Sequence, residues 1–187
     1  YCANNMFTIV SGMTGTGKTE IIQALPTGLD LEGAANHKGS SFGRPLDEQP
    51  AQINFENRIA IDLLKVEEQH PQSMVVLEDE SRNIGARHIP HYFADRMATS
   101  QFVVIEMDFE ERLERLWQEY VVERYLKTMA YFGANGEQAF ANYLRESLLR
   151  VQKRLGGQRT KELMASMNNA IAIQHQDNFA SHRHWLS

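Results

Sequence analysis

A single cysteine, Cys2, stands in 187 residues. That excludes a disulfide framework within the chain and a cysteine-based zinc centre. Long apolar runs are missing too. The longest, Met74–Leu77 and Phe102–Ile105, are strand-sized and far short of the roughly 18 residues of a membrane span. No basic stretch followed by an apolar core marks a secretory signal. Positive charge is in deficit: 19 Lys and Arg against 24 Asp and Glu give a net charge of -5. A uniformly basic nucleic-acid binder is thereby excluded, though a local basic patch is not. Repeats and low-complexity tracts are absent. These absences lead to the expectation of a cytoplasmic, reducing location. The opening Tyr1 and the tail His182–Ser187, which shows no closing element, lead to the expectation of a piece of a longer polypeptide.

What is present is an ordinary globular composition, 42% hydrophobic and 23% charged, in a length that suits one domain with an appendage. Met6–Val10 is a short apolar run rich in β-formers that stops at Ser11-Gly12, as a buried strand does. Lys18–Leu25 has helical spacing and closes at Pro26 and Gly28. Leu29–Leu31 reads as a minimal second strand. A long loop, Glu32–Ala51, follows; such loops inside a compact domain carry function or disorder. Ile53–Gln69 repeats apolar residues with helical period, and Met74–Leu77 and Phe102–Ile105 read as strands, with a polar loop and a short helix, His91–Thr99, between them. Strands separated by helices imply a parallel α/β sheet. Asp108 with Glu111 three residues on resembles a capping box. Helices are expected from there, including Glu137–Leu155 and Thr160–Ile173. The fold class is therefore α/β, a P-loop NTPase-like parallel sheet flanked by helices with a helical C-terminal third. The expected division is a core over 1–130 and a helical extension over 131–187.

The strongest chemical signal is Gly12-Met13-Thr14-Gly15-Thr16-Gly17-Lys18-Thr19, the pattern G-x-x-x-x-G-K-[ST] between a strand and a helix. Its glycines let successive N–H groups turn inward on a phosphate, and the helix end adds unpaired donors. Lys18 supplies mobile charge for the outer phosphate, and Thr19 is placed to hold a magnesium ion. Metal organisation in such sites calls for a carboxylate at a neighbouring strand end. Glu78-Asp79-Glu80, after the third strand, is favoured over Glu106 and Asp108, with Asp79 as the partner of Thr19 if magnesium is used. The loop after the second strand offers Asp30, Glu32, His37, Lys38, Ser40, Ser41 and Arg44, a mixture suited to an acceptor or an anionic group. Arg82, Arg87, Arg112 and Arg115 are candidates for clamping phosphate by paired hydrogen bonds. Between Arg145 and Lys161 lie six cations, Arg145, Arg150, Lys153, Arg154, Arg159 and Lys161, against one acid, Glu146. Such a segment is suited to tracking an RNA backbone.

The segments GMTGTGKTE, LDLEGAANHKGSSFG, QPAQINFEN and LEDESRNIG, in that order over residues 6–90, resemble the P-loop domain of bacterial tRNA 2-selenouridine synthase. The resemblance implies tRNA with 2-thiouridine at the wobble position as partner. It implies geranyl diphosphate and selenophosphate as co-substrates, with 2-thiouridine converted to 2-selenouridine through S-geranyl-2-thiouridine. It also implies a rhodanese-like domain in the same polypeptide, which this chain lacks; Cys2 is not in a rhodanese loop. Lys18, Asp30 and Asp79 are the expected catalytic residues, and Met13, Phe42 and Phe93 the expected walls of a prenyl slot. Two other functions fit the residues: a small-molecule kinase using ATP and magnesium, with Asp30 as base and Arg112 and Arg115 as lid arginines, and a non-catalytic RNA-binding module.

Overall fold

The computed structural model describes residues 7–187. Cys2, and Met6 at the expected start of the first strand, lie outside them. The chain divides after Glu106 into two compact units.

The first unit is built on a four-stranded parallel sheet. Its strands are β1 (Phe7–Ser11), β2 (Gly28–Leu29), β3 (Val75–Glu78) and β6 (Gln101–Val104), in the order β2-β3-β1-β6. Register places Val10 beside Glu78 and Ser11 beside Val104. Helices α1 (Lys18–Ala24), α3 (Gln52–Gln69) and α4 (His91–Ala98) make the crossovers. The path runs from β1 to β2 in one direction and back through β3 to β6 in the other. Right-handed crossovers therefore put α1 on one face and α3 and α4 on the opposite face. The core is closed by Phe7 and Ile9 of β1, Phe55, Ile59 and Leu63 of α3, Val75 and Leu77 of β3, and Phe93 of α4, all nearly excluded from water. Burying each such side chain favours folding by about 1.5–3 kcal/mol.

Several local expectations are corrected. The second strand covers Gly28–Leu29, not Leu29–Leu31, because Asp30 accepts a hydrogen bond from the Gly33 N–H at 2.6 Å and starts a helix. That helix, α2 (Leu31–Ala35), occupies the beginning of the expected loop. The polar stretch after β3 holds a small hairpin, β4 (Asn83–Ile84) and β5 (Arg87–His88).

The second unit is helical. In chain order it holds α5 (Phe109–Trp117), a π-helical turn at Gln118–Glu123, α6 (Arg124–Phe132), α7 (Gly136–Arg150), α8 (Gln152–Leu155), α9 (Gly157–Ile173) and α10 (Arg183–Leu186). Asp108 precedes α5 but makes no side-chain capping bond, so the capping box is not formed. The tail does close, contrary to expectation: α10 buries Trp185, whose indole N–H donates to His182 Nδ1 at 3.0 Å. His182 is itself fully buried, and burial pushes its imidazole down to about 4. It is a neutral structural group.

Candidate functional site: a phosphate loop with a carboxylate cluster

The C-terminal ends of parallel strands, where ligands bind such sheets, bring three segments together here. These are the loop after β1, the start of α2 after β2, and the acids after β3. The loop between β1 and α1 is closed by Thr16, whose N–H and hydroxyl both meet the Met13 carbonyl, at 3.2 and 2.9 Å. Gly17 takes φ 83, a left-handed value that a side chain would strain, and hands the chain into α1. Lys18 folds back over the loop, its Nζ donating to the carbonyls of Gly12 at 2.8 Å and Met13 at 3.3 Å. An incoming phosphate has only to replace these two neutral acceptors with charged ones, a stronger partner for an ammonium. Thr14 is exposed at the loop tip.

Glu32 is the junction of the site. Its carboxylate accepts from the Thr19 hydroxyl at 3.2 Å and from the Gly39 N–H. Its own N–H donates to Glu78 Oε2 at 3.3 Å. Glu78 is 1% exposed, and its second oxygen, Oε1, has no hydrogen-bond partner among the described residues. Burial, then the charges of Glu32 and Asp30, push the Glu78 carboxyl up to about 7, opposed by the hydrogen bond from the Glu32 N–H. Glu80 is half-buried and lies flat against Gly39, where a Cβ would come within 2.5 Å of its Oε2. Burial, then the charges of Glu32 and Glu78 and a hydrogen bond with Glu32, push it up to about 8, with the Lys18 charge acting against them. Three carboxylates thus crowd beside the phosphate loop, and two retain protons near neutrality.

Asp79 is placed differently. It is exposed, and its carboxylate accepts from the Ser11 hydroxyl at 2.6 Å. Thr19 and Asp79, the expected magnesium pair, are held by different partners. Among the described residues no group of three or more His, Cys, Asp or Glu is arranged to hold a metal ion. Asp30, the expected base of a kinase, is committed as the cap of α2 and also accepts from Gln23 Nε2 at 2.8 Å.

The loop after α2 is a built structure. His37, Lys38, Ser40, Ser41 and Arg44 lie on a tight turn closed by Lys38 N–H to Gly43 O at 3.1 Å and Gly43 N–H to Ser40 O at 2.9 Å. Gln49 holds it to the hairpin, donating to Ala35 O at 2.8 Å and Ile84 O at 3.0 Å and accepting from Ala86 N–H at 2.7 Å. Gln52 does the same with both backbone groups of His88. Ser11, Gln49 and Gln52 were not singled out by residue chemistry, and Glu32 was expected only as one of several polar groups of the loop after the second strand. The only sequence signal for the two glutamines was the family-like segment QPAQINFEN.

The arginines divide. Arg82 pairs with Asp95 of α4 at 3.1 Å on an exposed surface, and Arg87 sits half-buried in the hairpin. Arg112 and Arg115 belong to α5 in the other compact unit, with the Arg112 guanidinium 5.8 Å above the Phe109 ring. Of the expected slot walls, Met13 is exposed and Phe42 half-buried, whereas Phe93 is 1% exposed and packed on Phe7 at 5.1 Å. Phe93 also floors an apolar groove of about 680 Å³ between α3 and α4, lined by Ile59, Leu63, Leu64, Pro90 and Tyr92 but by no residue of the phosphate loop. In the second unit Arg150, Lys153, Arg154, Arg159 and Lys161 are exposed around the α7–α8–α9 corner. Arg145 ties α7 to Asn168 of α9 at 2.8 Å, and Arg150 donates to Ser147 at 2.7 Å.

Fold and loop together define a P-loop α/β domain. Within that class the chain belongs to the family described as the tRNA 2-selenouridine synthase AAA domain, which it matches over residues 5–187. It is 44% identical over 167 residues to a tRNA 2-selenouridine synthase of Salmonella newport (strain SL254), covering 89% of this chain and 46% of that protein. To the tRNA 2-selenouridine synthase of Salmonella agona (strain SL483) it is 42% identical over 180 residues, 95% of this chain and 50% of the relative. The chain therefore spans about half the length of the curated relatives it matches. No solved structure matches it. No described helix is long and apolar enough to cross a membrane.

Proposed function

We propose that this chain is the phosphate-binding and tRNA-binding half of an enzyme that modifies the wobble uridine of tRNA in the cytoplasm, converting 2-thiouridine to 2-selenouridine. The loop Gly12–Thr19 in a chain matched over residues 5–187 to that family carries the reading. In the proposed first step the thiocarbonyl sulfur attacks the allylic carbon of geranyl diphosphate and diphosphate departs. Negative charge grows on the leaving group, and donors already aimed at it lower the barrier. Lys18 and the inward N–H groups of the loop are such donors, and they act without ATP hydrolysis. In the second step selenium from selenophosphate displaces the S-geranyl group. The exposed cations from Arg150 to Lys161 are proposed to hold the tRNA backbone. A rhodanese-like domain is proposed to complete the polypeptide.

Asp30 speaks against the kinase alternative, since its carboxylate is occupied as a helix cap. The experiment uses the full-length protein, tRNA bearing 2-thiouridine and geranyl diphosphate, without ATP, with the nucleoside product read by mass spectrometry. S-geranylation should appear and collapse in Lys18→Ala and Gly17→Ala. A requirement for ATP turnover, or survival of the activity in both variants, overturns the reading. A thermal-shift comparison of geranyl diphosphate, ATP and GTP, with and without magnesium, reports the preferred ligand.

A further inference from the structure

A strand at the rim of a sheet keeps one row of N–H and C=O groups unpaired, and an apolar one is a template for a further strand. The two rims of this sheet differ. β2 is two residues long and its Leu29 is buried, so that rim is short and closed. At the other rim β6 reads Gln-Phe-Val-Val, with neither charge nor proline to turn another strand away. Phe102, Val103 and Val104 are each at least half exposed. Side chains alternate along a strand, so Phe102 and Val104 lie on one face and Val103 on the other. Both faces of β6 are open. Strands of parallel sheets are covered on both faces as a rule, and β1 beside it obeys that rule: Phe7, Ile9 and Val10 are nearly excluded from water.

The backbone of β6 is open in the same direction. The Ile105 N–H donates to Ser11 O at 2.8 Å, toward β1. Successive N–H groups of a strand point to opposite sides, so those of Phe102 and Val104 point outward. Among the described residues no strand pairs with that outer edge. Chain order indicates what fits there. The sheet is laid outward from β1, with helical crossovers between parallel strands. After β6 every described element is helical. A strand added in the same order therefore belongs to polypeptide beyond residue 187. The chain covers only about half of its curated relatives, which leaves ample length for one.

We propose that in the full-length protein a fifth strand, drawn from the polypeptide beyond residue 187, pairs parallel to β6 through the N–H groups of Phe102 and Val104. Its flanking segments cover the apolar side chains of β6. The added strand is apolar on both faces and free of charge, as β6 is. It also bears on the ligand site. The Ile105 carbonyl lies against Gly12 of the phosphate loop, where a Cβ would come within 2.7 Å of it. β6 thus ends at that loop, and a parallel neighbour ends on the same side of the sheet, about 4.8 Å further out. The segment that follows the fifth strand borders the phosphate site. This inference reads the sheet alone and holds whichever phosphate ligand the loop takes.

The test places the photo-crosslinking residue p-benzoylphenylalanine at position 102 of the full-length protein, where an aromatic side chain is already exposed. After irradiation the products are mapped by mass spectrometry, with mixed heavy and light protein to separate crosslinks within one polypeptide from those between two. The main crosslink should join position 102 to a segment beyond residue 187 of the same polypeptide. In the unsubstituted full-length protein, the Val104 amide should exchange its hydrogen within about tenfold of the Ile105 rate. A crosslink to sequence preceding residue 1, a crosslink to a second copy, or no crosslink to protein overturns the proposal. Exchange at Val104 as fast as at an unstructured amide also overturns it, and that measurement needs no substitution.

Discussion

Lys18 is the side chain on which ligand binding turns. In the free site its ammonium is satisfied by two carbonyls of its own loop. Removing it leaves the fold's core untouched and deletes one charge-assisted contact to phosphate, worth about 1.5–3 kcal/mol or some ten- to hundredfold in affinity. Lys18→Ala should show that loss in calorimetry with inorganic diphosphate, and equal affinity in a folded variant refutes it. Glu78 and Glu80 make a prediction of opposite character. They hold protons up to about 7 and about 8, against 4.5 for an unhindered glutamate. The folded chain therefore binds more protons than the unfolded chain between those limits, and stability falls as pH rises from about 4.5 to about 8. Glu78→Gln removes one of the two titrations while keeping shape and an amide oxygen for the Glu32 N–H. The drop in urea midpoint between about pH 5 and about pH 8 should shrink in the variant. An undiminished drop refutes the linkage.

At the scale of elements, the segment between α2 and α3 is held by side-chain amides more than by regular structure. Gln49 spends its whole amide on the backbone of α2's end and of the hairpin, three hydrogen bonds in all. Gln49→Ala leaves at least one of those backbone groups without a partner, at about 1–3 kcal/mol. Hydrogen exchange at the Ala86 amide, which donates to Gln49, should accelerate correspondingly, and unchanged protection there rejects the role. The π-helical turn at Gln118–Glu123 is the comparable feature of the second unit. It carries Tyr120 and Val121 into burial between α5 and α6.

At the scale of the molecule, an acidic chain places Arg150, Lys153, Arg154, Arg159 and Lys161, all exposed, close together along α7, α8 and α9 of its second unit. If those cations neutralise RNA phosphates, each contact releases counterions and steepens the salt dependence of binding. Changing Arg150, Lys153 and Arg154 to Ala should weaken tRNA binding and lower the salt slope by up to about three units. An identical slope for variant and parent, in filter binding across a salt series, reduces the corner to a solvated surface.

The phosphate loop, the parallel α/β class and most helices were legible in the residues, because each is encoded locally. A glycine pattern between an apolar run and a helical period needs no distant partner to be read. The hairpin at Asn83–His88, the helix at Leu31–Ala35 and the closing helix at Arg183–Leu186 were not. Their strands and helices are two to five residues long, too short for a period to show, and each depends on contacts: Asp30 capping Gly33, Gln49 and Gln52 gripping the hairpin, Trp185 buried against His182. The acids after β3 were visible as a run of three. Their separate roles were decided only when the sheet set Glu78 beside Val10 and α2 brought Glu32 onto it. The chain leaving the strand at Glu78 then carried neighbouring carboxylates to different surroundings, one buried, one on Ser11 and one against Gly39. Charge at a position is a property of sequence; burial and the company of other charges are properties of the fold, and those set which carboxylate can hold a proton.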